Sequence, residues 1–323
     1  MKDWQTKIEE ITRVKELALQ QGGDEGVSKQ HDKGRLTIRE RVSSLLDDNS
    51  FQEIGPTAGG GERDENGILT SFTPANFVLG FGKIDGRRCV VAGEDFTVKG
   101  GSPNAAGLRK SIYAEHLAIK YKVPLIRLHE GGGGSVGGTG NSSSTVGTPV
   151  YETHRFKVVA EAMAAVPVVT TALGPVAGLP AARLVAAHLS IMSEKNGQVL
   201  IAGPAVVERA LGEKKTKEEL GGSKVHTKNG VIDNPATSEE DAFRQVKTFL
   251  SYLPPNVWEL PPVICTDDKP DRSDYGLRSL VPTDRRKLYD MYKVVSTVLD
   301  ENSFFEIGPN YGRGHITGIA RLN

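Results

Sequence analysis

Apolar residues at the start of the chain recur at helical spacing. Trp4, Ile8, Ile11, Val14 and Leu17 fall three and four apart and precede Gly22-Gly23, which predicts an amphipathic helix with a glycine stop. Residues 24–35 are polar. A second helix is predicted through Leu36, Ile38, Val42, Leu45 and Leu46 to Asp47-Asp48-Asn49, and the glycine-rich, charged stretch from Gly55 to Gly67 reads as a surface loop. The period then changes. Residues 77–84 read as a strand, Asp85-Gly86 as a hairpin turn and Arg88-Cys89-Val90-Val91-Ala92 as the partner strand. A helix over 103–120, with Leu108, Ile112 and Leu117 on one side, leads to a buried strand over 123–128, a glycine-rich loop and a helix from Phe156 to Met163. A strand over 166–173 runs into Gly174-Pro175 and a helix from about Pro180. A last strand over 198–201 passes through Gly203-Pro204 to a short helix. Strand–strand–helix units whose strand ends feed glycine turns predict an α/β core behind N-terminal helices.

An internal repeat sets the domain organisation. Residues 42–56 reappear as residues 295–309, with eleven of fifteen positions identical at a constant offset of 253. The strand Leu79-Gly80-Phe81-Gly82-Lys83-Ile84 has its counterpart in Thr317-Gly318-Ile319-Ala320-Arg321-Leu322. A duplicated domain fits this better than two chance helix–turn matches. The expected division is a first domain over 1–253, a linker over 254–284 with six prolines, and the start of a truncated second domain over 285–323.

Composition narrows the function. Forty basic residues against forty acidic ones give a formal net charge of zero, which removes the broad basic field on which nucleic-acid binding rests. Two cysteines, Cys89 and Cys265, lack metal-ligand spacing, so no metal is expected and a reducing compartment is the simple reading. No apolar run approaches the roughly 18 residues of a membrane span. Met1-Lys2-Asp3-Trp4 opens neither a secretory leader nor a transit peptide. The expectation is a cytoplasmic protein, with the mitochondrial matrix as the other compartment that fits.

Candidate chemistry centres on two glycine turns. Glu130 is followed by Gly131-Gly132-Gly133-Gly134-Ser135-Val136-Gly137-Gly138 directly after a strand. Glycines there let consecutive backbone N–H groups aim at one point, which suits an anion or a developing oxyanion. Gly132, Gly134 and Gly137 match G-x-G-x-x-G formally, but the preceding strands and the missing acidic residue speak against a dinucleotide site. A plain flexible loop stays open as an alternative. The second turn, Gly174-Pro175-Val176-Ala177-Gly178, enters a helix; close strand–helix packing is its structural alternative. Acid–base candidates are thin. His129 and Glu130 flank the first turn, although a histidine in such a strand is more often packed, and His188 reads as structural. A chemistry without a protein general base suits this sequence.

Several ordered segments carry a family resemblance. Gly34-Arg35-Leu36-Thr37-Ile38-Arg39-Glu40-Arg41 with Leu45-Leu46-Asp47 and Ser50-Phe51 comes first, then Glu94-Asp95-Phe96-Thr97-Val98-Lys99-Gly100-Gly101-Ser102. Ile201-Ala202-Gly203-Pro204, Gly212-Glu213, Glu218-Glu219-Leu220-Gly221-Gly222, His226 and Leu250-Ser251-Tyr252-Leu253-Pro254 follow. From about Lys29 onward the chain resembles the carboxyltransferase (β) subunit of biotin-dependent acyl-CoA carboxylases, the propionyl-CoA and methylcrotonoyl-CoA carboxylase family.

The resemblance implies a crotonase-like spiral of β-β-α repeats, present twice in the full-length subunit. It implies that carboxylate moves from N-carboxybiotin to the α-carbon of an acyl-CoA, with released biotin taking the α-proton. Biotin is then carried by a partner, the biotin carboxylase and biotin carboxyl carrier subunit, and the full-length subunit forms a homo-oligomer. By position, Gly132 and Gly133 stand at the first oxyanion site and Gly174, Ala177 and Gly178 at the second turn. Phe96, Thr97, Val98, Gly100, Gly101 and Ser102 line the CoA side. The loop Gly131-Gly132-Gly133-Gly134-Ser135 departs from the family's usual Ser/Asp-Gly-Gly-Ala-Arg, so no particular acyl group is implied. Two other readings stay open: a carboxyltransferase subunit of a biotin-dependent acyl-CoA decarboxylase, and a non-catalytic assembly subunit of a carboxylase complex.

Overall fold

The computed structural model describes residues 4–102, 104–132, 155–264, 268–269 and 271–322. Three helices come first: α1 (Trp4–Leu19), α2 (Gly23–His31) and α3 (Ile38–Leu45). The short strand β1 (Gln52–Glu53), the hairpin β2 (Gly59–Arg63) and β3 (Leu69–Pro74), and the hairpin β4 (Phe77–Ile84) and β5 (Arg87–Glu94) follow. Next are α4 (Ala105–Tyr121), β6 (Leu125–Gly131), α5 (Arg155–Ala165), β7 (Val168–Ala177), α6 (Leu179–Val185), β8 (Leu189–Ser193) and β9 (Gln198–Leu200). Helices α7 (Pro204–Leu211), α8 (Lys217–Gly221) and α9 (Ser223–Asn229) lead to β10 (Asn234–Ala236) and α10 (Glu239–Tyr252). The remainder holds α11 (Leu277–Leu280), α12 (Met291–Val298), β11 (Phe305–Glu306) and β12 (Gly318–Ile319).

One sheet organises these elements, in the order β1-β4-β5-β6-β7-β8-β10, with β9 also paired to β7. The β4–β5 hairpin is antiparallel, and β5 through β8 and β10 run parallel. Parallel strands covered on both faces are apolar on both faces. On β6, Ile126 and Leu128 join Ile38, Val42, Leu45, Phe243 and Val246 of α3 and α10 on one side of the sheet. Leu125 joins Ala114, Leu117 and Ala162 of α4 and α5 on the other. Strand alternation therefore places Arg127 and His129 on the α4–α5 face and Glu130 on the α3–α10 face.

The helix boundaries follow from capping. Thr37 and Glu40 form a reciprocal capping box at α3, and Asn104 accepts from Gly107 N–H at the start of α4. Lys122 closes α4 in the left-handed conformation. Ser238 caps α10, whose first turn carries Glu239, Glu240 and Asp241.

The expected surface loop over 55–67 is corrected in part. Residues 59–63 form β2, paired antiparallel with β3, and all five are exposed, so no apolar alternation marked them as a strand. The polar stretch 24–35 contains α2. Strands β1, β3, β8 and β10 also escaped the sequence reading. Strand β8 is only five residues long and buried throughout, so it lacks both length and period as signals.

The repeat recurs in three dimensions. Asp47 N–H donates to Lys83 O at 2.9 Å and Asp300 N–H to Arg321 O at 3.1 Å; Ile54 N–H and Ile307 N–H reach Leu79 O and Thr317 O, each at 2.8 Å. Ser50 Oγ accepts from Lys83 N–H at 3.0 Å, as Ser303 Oγ does from Arg321 N–H at 3.1 Å. Asn49 and Asn302 share a φ of 55°. A Cβ on Gly80 would strike the Phe51 ring at 2.5 Å, and one on Gly318 the Phe304 ring at 2.6 Å. The second copy lies against the sheet domain through Phe305, Ile307 and Ile319, and Asn234 accepts from Gly308 N–H at 2.9 Å.

Cys89 lies on β5 with its side chain in the core, where burial pushes the thiol up to about 12. At pH 8 only about one such thiol in ten thousand is ionised, and the thiolate is the reactive form. In a Cys265→Ser background, an aromatic disulfide reagent at pH 8 is expected to leave Cys89 unmodified in the native protein and to titrate it fully in urea. Rapid native modification contradicts this packing.

Candidate active site

At the carboxyl end of β6 the chain turns from Glu130 through Gly131 to Gly132. Glu130 is fully buried and is the meeting point of the N-terminal helices with the sheet. Gln30 of α2 donates to its Oε2 at 2.5 Å, Arg35 donates to Oε1 at 2.5 Å, and Arg41 of α3 donates to Oε2 at 2.6 Å. Arg41 also holds Glu239 of α10, through Nε at 2.6 Å and Nη2 at 2.8 Å. Burial pushes the Glu130 carboxyl above its ordinary value, against the pull of Arg41 and Arg35. Burial would lower the Arg41 guanidinium, but Glu130 and Glu239 outweigh it and hold the group above its ordinary value. Arg41 occupies an apolar helical position between Ile38 and Leu45, and that is the sequence signal for this network. Arg35, Gln30 and Glu239 carried no comparable signal.

The opposite face of β6 carries a second set of charges. His129 Nδ1 lies 3.1 and 3.3 Å from the two carboxylate oxygens of Glu94, at the end of β5. Burial raises the Glu94 carboxyl, but His129 and Arg127 outweigh it and leave the group below its ordinary value. Arg127 pairs with Glu115 of α4 at 2.5 Å, and Arg183 of α6 pairs with the same oxygen at 2.9 Å. A cavity of about 20 Å³ opens here, lined by Glu94, Gly101, Leu108, Leu179, Pro180 and Arg183 among others.

The segment after Glu94 is pinned over this corner. Asp95 Oδ1 accepts from Thr97 N–H at 3.0 Å and from its hydroxyl at 2.5 Å, and Thr97 Oγ1 accepts from Gly22 N–H at 2.9 Å. Asn76 accepts from Asp95 N–H through its backbone carbonyl and donates through its side chain to Ser102 O, so one residue ties both ends of the segment. The Phe96 ring lies under the Arg35 guanidinium at 5.1 Å, with Lys33 at 6.0 Å. A Cβ on Gly101 would meet Glu130 O at 2.7 Å and Gly131 Cα at 2.8 Å. Gly132 N–H approaches Gly100 O at 3.4 Å, a long contact.

The structure thus brings Gly100 and Gly101 against Gly131 and Gly132, with Phe96, Thr97, Val98 and Ser102 on the same pinned segment. Gly133 lies outside the described residues. The second predicted turn is corrected. Residues 174–177 belong to β7; Gly174 sits against the Glu130 carboxyl, where a Cβ would lie 2.4 Å from Oε1, and Ala177 pairs with Leu200 of β9. Close packing accounts for Gly174, and the sheet ladder for Ala177. Only Gly178 turns the chain, at φ 67° and ψ −129°, into α6. His129 is buried and paired, as its strand position suggested. His188 accepts from Val168 N–H at 3.0 Å, a structural role. Among the described residues no group of three or more His, Cys, Asp or Glu is placed to hold a metal.

Removing one partner from a buried ion network leaves the others uncompensated, at about 3–5 kcal/mol. Glu130→Gln is expected to lose stability on that scale in urea unfolding, because Arg35 and Arg41 then share a neutral amide. A loss under about 1 kcal/mol contradicts the anchoring role.

Comparisons with known proteins place the chain in a family. Residues 29–323 match the family model described as carboxyl transferase domain. The chain is 31% identical to methylmalonyl-CoA decarboxylase subunit alpha of Veillonella parvula, over 99% of this chain and 62% of that protein. It is 33% identical to the mitochondrial propionyl-CoA carboxylase beta chain of Homo sapiens, over 98% of this chain and 58% of that one. Among solved structures, transcarboxylase 12S with hydrolysed methylmalonyl-coenzyme A bound superposes with a TM-score of 0.84 at 26% identity, covering 100% of this chain and 63% of that one. The chain therefore spans about three fifths of the length of these relatives. The crotonase-like α/β fold is the one expected, and no described helix is long and apolar enough to cross a membrane. With the family model matched over most of its length, the chain belongs to the carboxyl transferase domain family.

Proposed function

We propose that this chain is the acyl-CoA-binding half of a carboxyltransferase that moves carboxylate between N-carboxybiotin and the α-carbon of an acyl-CoA. The observation that carries the reading is the approach of Gly100 and Gly101 to the Gly131–Gly132 corner, where Gly131 pairs with Val176 of β7. The exposed cations Lys33 and Lys99 stand along that segment for the phosphates of CoA. Gly132, with Gly133, supplies backbone N–H groups to the thioester oxygen as it gains negative charge. Donors of this kind are commonly worth about 3–4 kcal/mol each in the transition state. The long contact between Gly132 N–H and Gly100 O is a weak one, so little is lost when that N–H turns to a thioester.

Biotin enters this reading as the carboxylate carrier, attached to a partner subunit. In this reading the domain order is an acyl-CoA domain over 1–253, a linker over 254–284 and a second, related unit beginning at 285, and the full-length subunit is a homo-oligomer in the cytoplasm. A second reading, the same half-reaction run towards decarboxylation, is favoured by the likeness to methylmalonyl-CoA decarboxylase subunit alpha.

Calorimetric titration with acetyl-, propionyl- and methylcrotonoyl-CoA, with free CoA as control, tests the site. The expected result is saturable binding whose affinity depends on the acyl group. No heat from any acyl-CoA contradicts the proposal.

A further inference from the structure

Glu94 occupies an unusual place for a buried carboxylate. Its stem packs beside the joint of two glycine backbones: Cβ lies 3.4 Å from where a Cβ on Gly101 would stand, and Cγ lies 3.0 Å from where one on Gly131 would stand. The two backbones also touch directly, since a Cβ on Gly131 would meet Gly101 O at 2.9 Å, so the Glu94 stem buttresses their joint from one side. The carboxylate in turn is held by His129 Nδ1. The charges facing the pair are Arg127 on the same face of β6, Glu115 from α4 and Arg183 from α6, and both guanidinium groups are engaged by Glu115. Among the described residues, His129 is the side chain that hydrogen-bonds Glu94. Among the described residues His129 Nε2 is buried with no hydrogen-bond partner, so the bond to Glu94 also fixes the imidazole ring.

We propose that Glu94 and His129 are a positioning pair that buttresses the joint of the Gly100–Gly101 and Gly131–Gly132 backbones, and through it steadies the aim of Gly132 N–H at the thioester. The inference rests on the acyl-CoA reading of this corner and adds residues to it. Neither side chain touches the reacting atoms. The pair acts on the acyl end of the ligand, because Gly132 belongs to the thioester side, while the rest of CoA binds along segment 96–102.

Three variants and two ligands test the pair. His129→Leu keeps bulk and removes the bond; His129→Asn keeps a side-chain N–H near the position of Nδ1; Glu94→Gln keeps the stem and an acceptor for His129. His129→Leu is expected to weaken propionyl-CoA binding about tenfold, the equivalent of one hydrogen bond's net worth, while free CoA changes less than about threefold. His129→Asn and Glu94→Gln are expected to stay within about threefold of the parent for both ligands. Hydrogen exchange at Gly101 and Gly132 should quicken in His129→Leu and return to the parent rate in His129→Asn. Where His129→Leu does not fold, His129→Ala serves the same comparison.

Unchanged propionyl-CoA binding in a folded His129→Leu overturns the proposal. Equal weakening of both ligands with a lowered unfolding temperature also overturns it, because that marks a purely structural pair. Failure of His129→Asn to restore the acyl preference overturns it too. If the parent protein binds no acyl-CoA, the reading of the site fails and takes the proposal with it. If the parent binds and His129→Leu binds as well, only the proposal fails.

Discussion

The carboxylate of Glu130 holds the architecture together. It stands at the carboxyl end of β6, one residue before the glycine corner, and it accepts from Gln30, Arg35 and Arg41. Those three residues belong to α2, the following loop and α3, so a single buried group fastens the N-terminal helices to the end of the sheet. Arg41 extends the contact to Glu239 and thereby to α10. A buried ion network is weak support for stability when compared with an apolar replacement, yet it is strict about geometry, since any missing partner leaves a charge unpaired. Here that strictness falls beside Gly131 and Gly132. Gly174 completes the arrangement on the neighbouring strand by leaving room for the Glu130 carboxyl.

Two faces of one strand divide the work. Glu130 points to the α3–α10 layer and fixes what lies behind the corner, while Arg127 and His129 point to the α4–α5 layer and meet Glu94, Glu115 and Arg183. The corner is thus clamped from both sides of the sheet, and in the proposed function its backbone faces the ligand. The same economy of means appears in the repeat. Residues 42–56 and 295–309 fold alike although their surroundings differ. Ile38 and Leu45 of α3 are nearly inaccessible, whereas Met291 and Val298 of α12, at the same repeat positions, are 43% and 48% exposed. The shared turn is therefore written in local residues: the asparagine with positive φ, the serine hydroxyl that accepts from the strand, and the phenylalanine ring over a glycine.

Much of this was legible in the chain. The β4–β5 hairpin with its Asp85-Gly86 turn, the strand before Glu130 and the repeat all followed from period, turn chemistry and self-similarity. Strand β8 was not, because a short strand buried on both faces has no alternation. Strand β2 was missed for the opposite reason, since it is wholly exposed. The second glycine turn was misread because Gly174 and Gly178 look alike in sequence: one is required by the bulk of Glu130 across a strand pair, the other by a positive φ. Neither requirement is visible without the partner. Glu94 belongs to the segment Glu94–Ser102 that carries the family resemblance, but its contact with His129 depends on strand register, which sequence spacing does not reveal.

In the proposed function, backbone N–H groups of this corner, held by buried ion pairs on either side, meet an acyl thioester. The most direct measurement is a crystal structure of this chain with a stable acyl-CoA analogue in which a methylene replaces the thioester sulfur. The account predicts the acyl carbonyl oxygen about 3 Å from Gly132 N, with the CoA chain along Phe96–Ser102. An acyl carbonyl bound away from Gly132, with the Gly132–Gly100 contact intact, would contradict it.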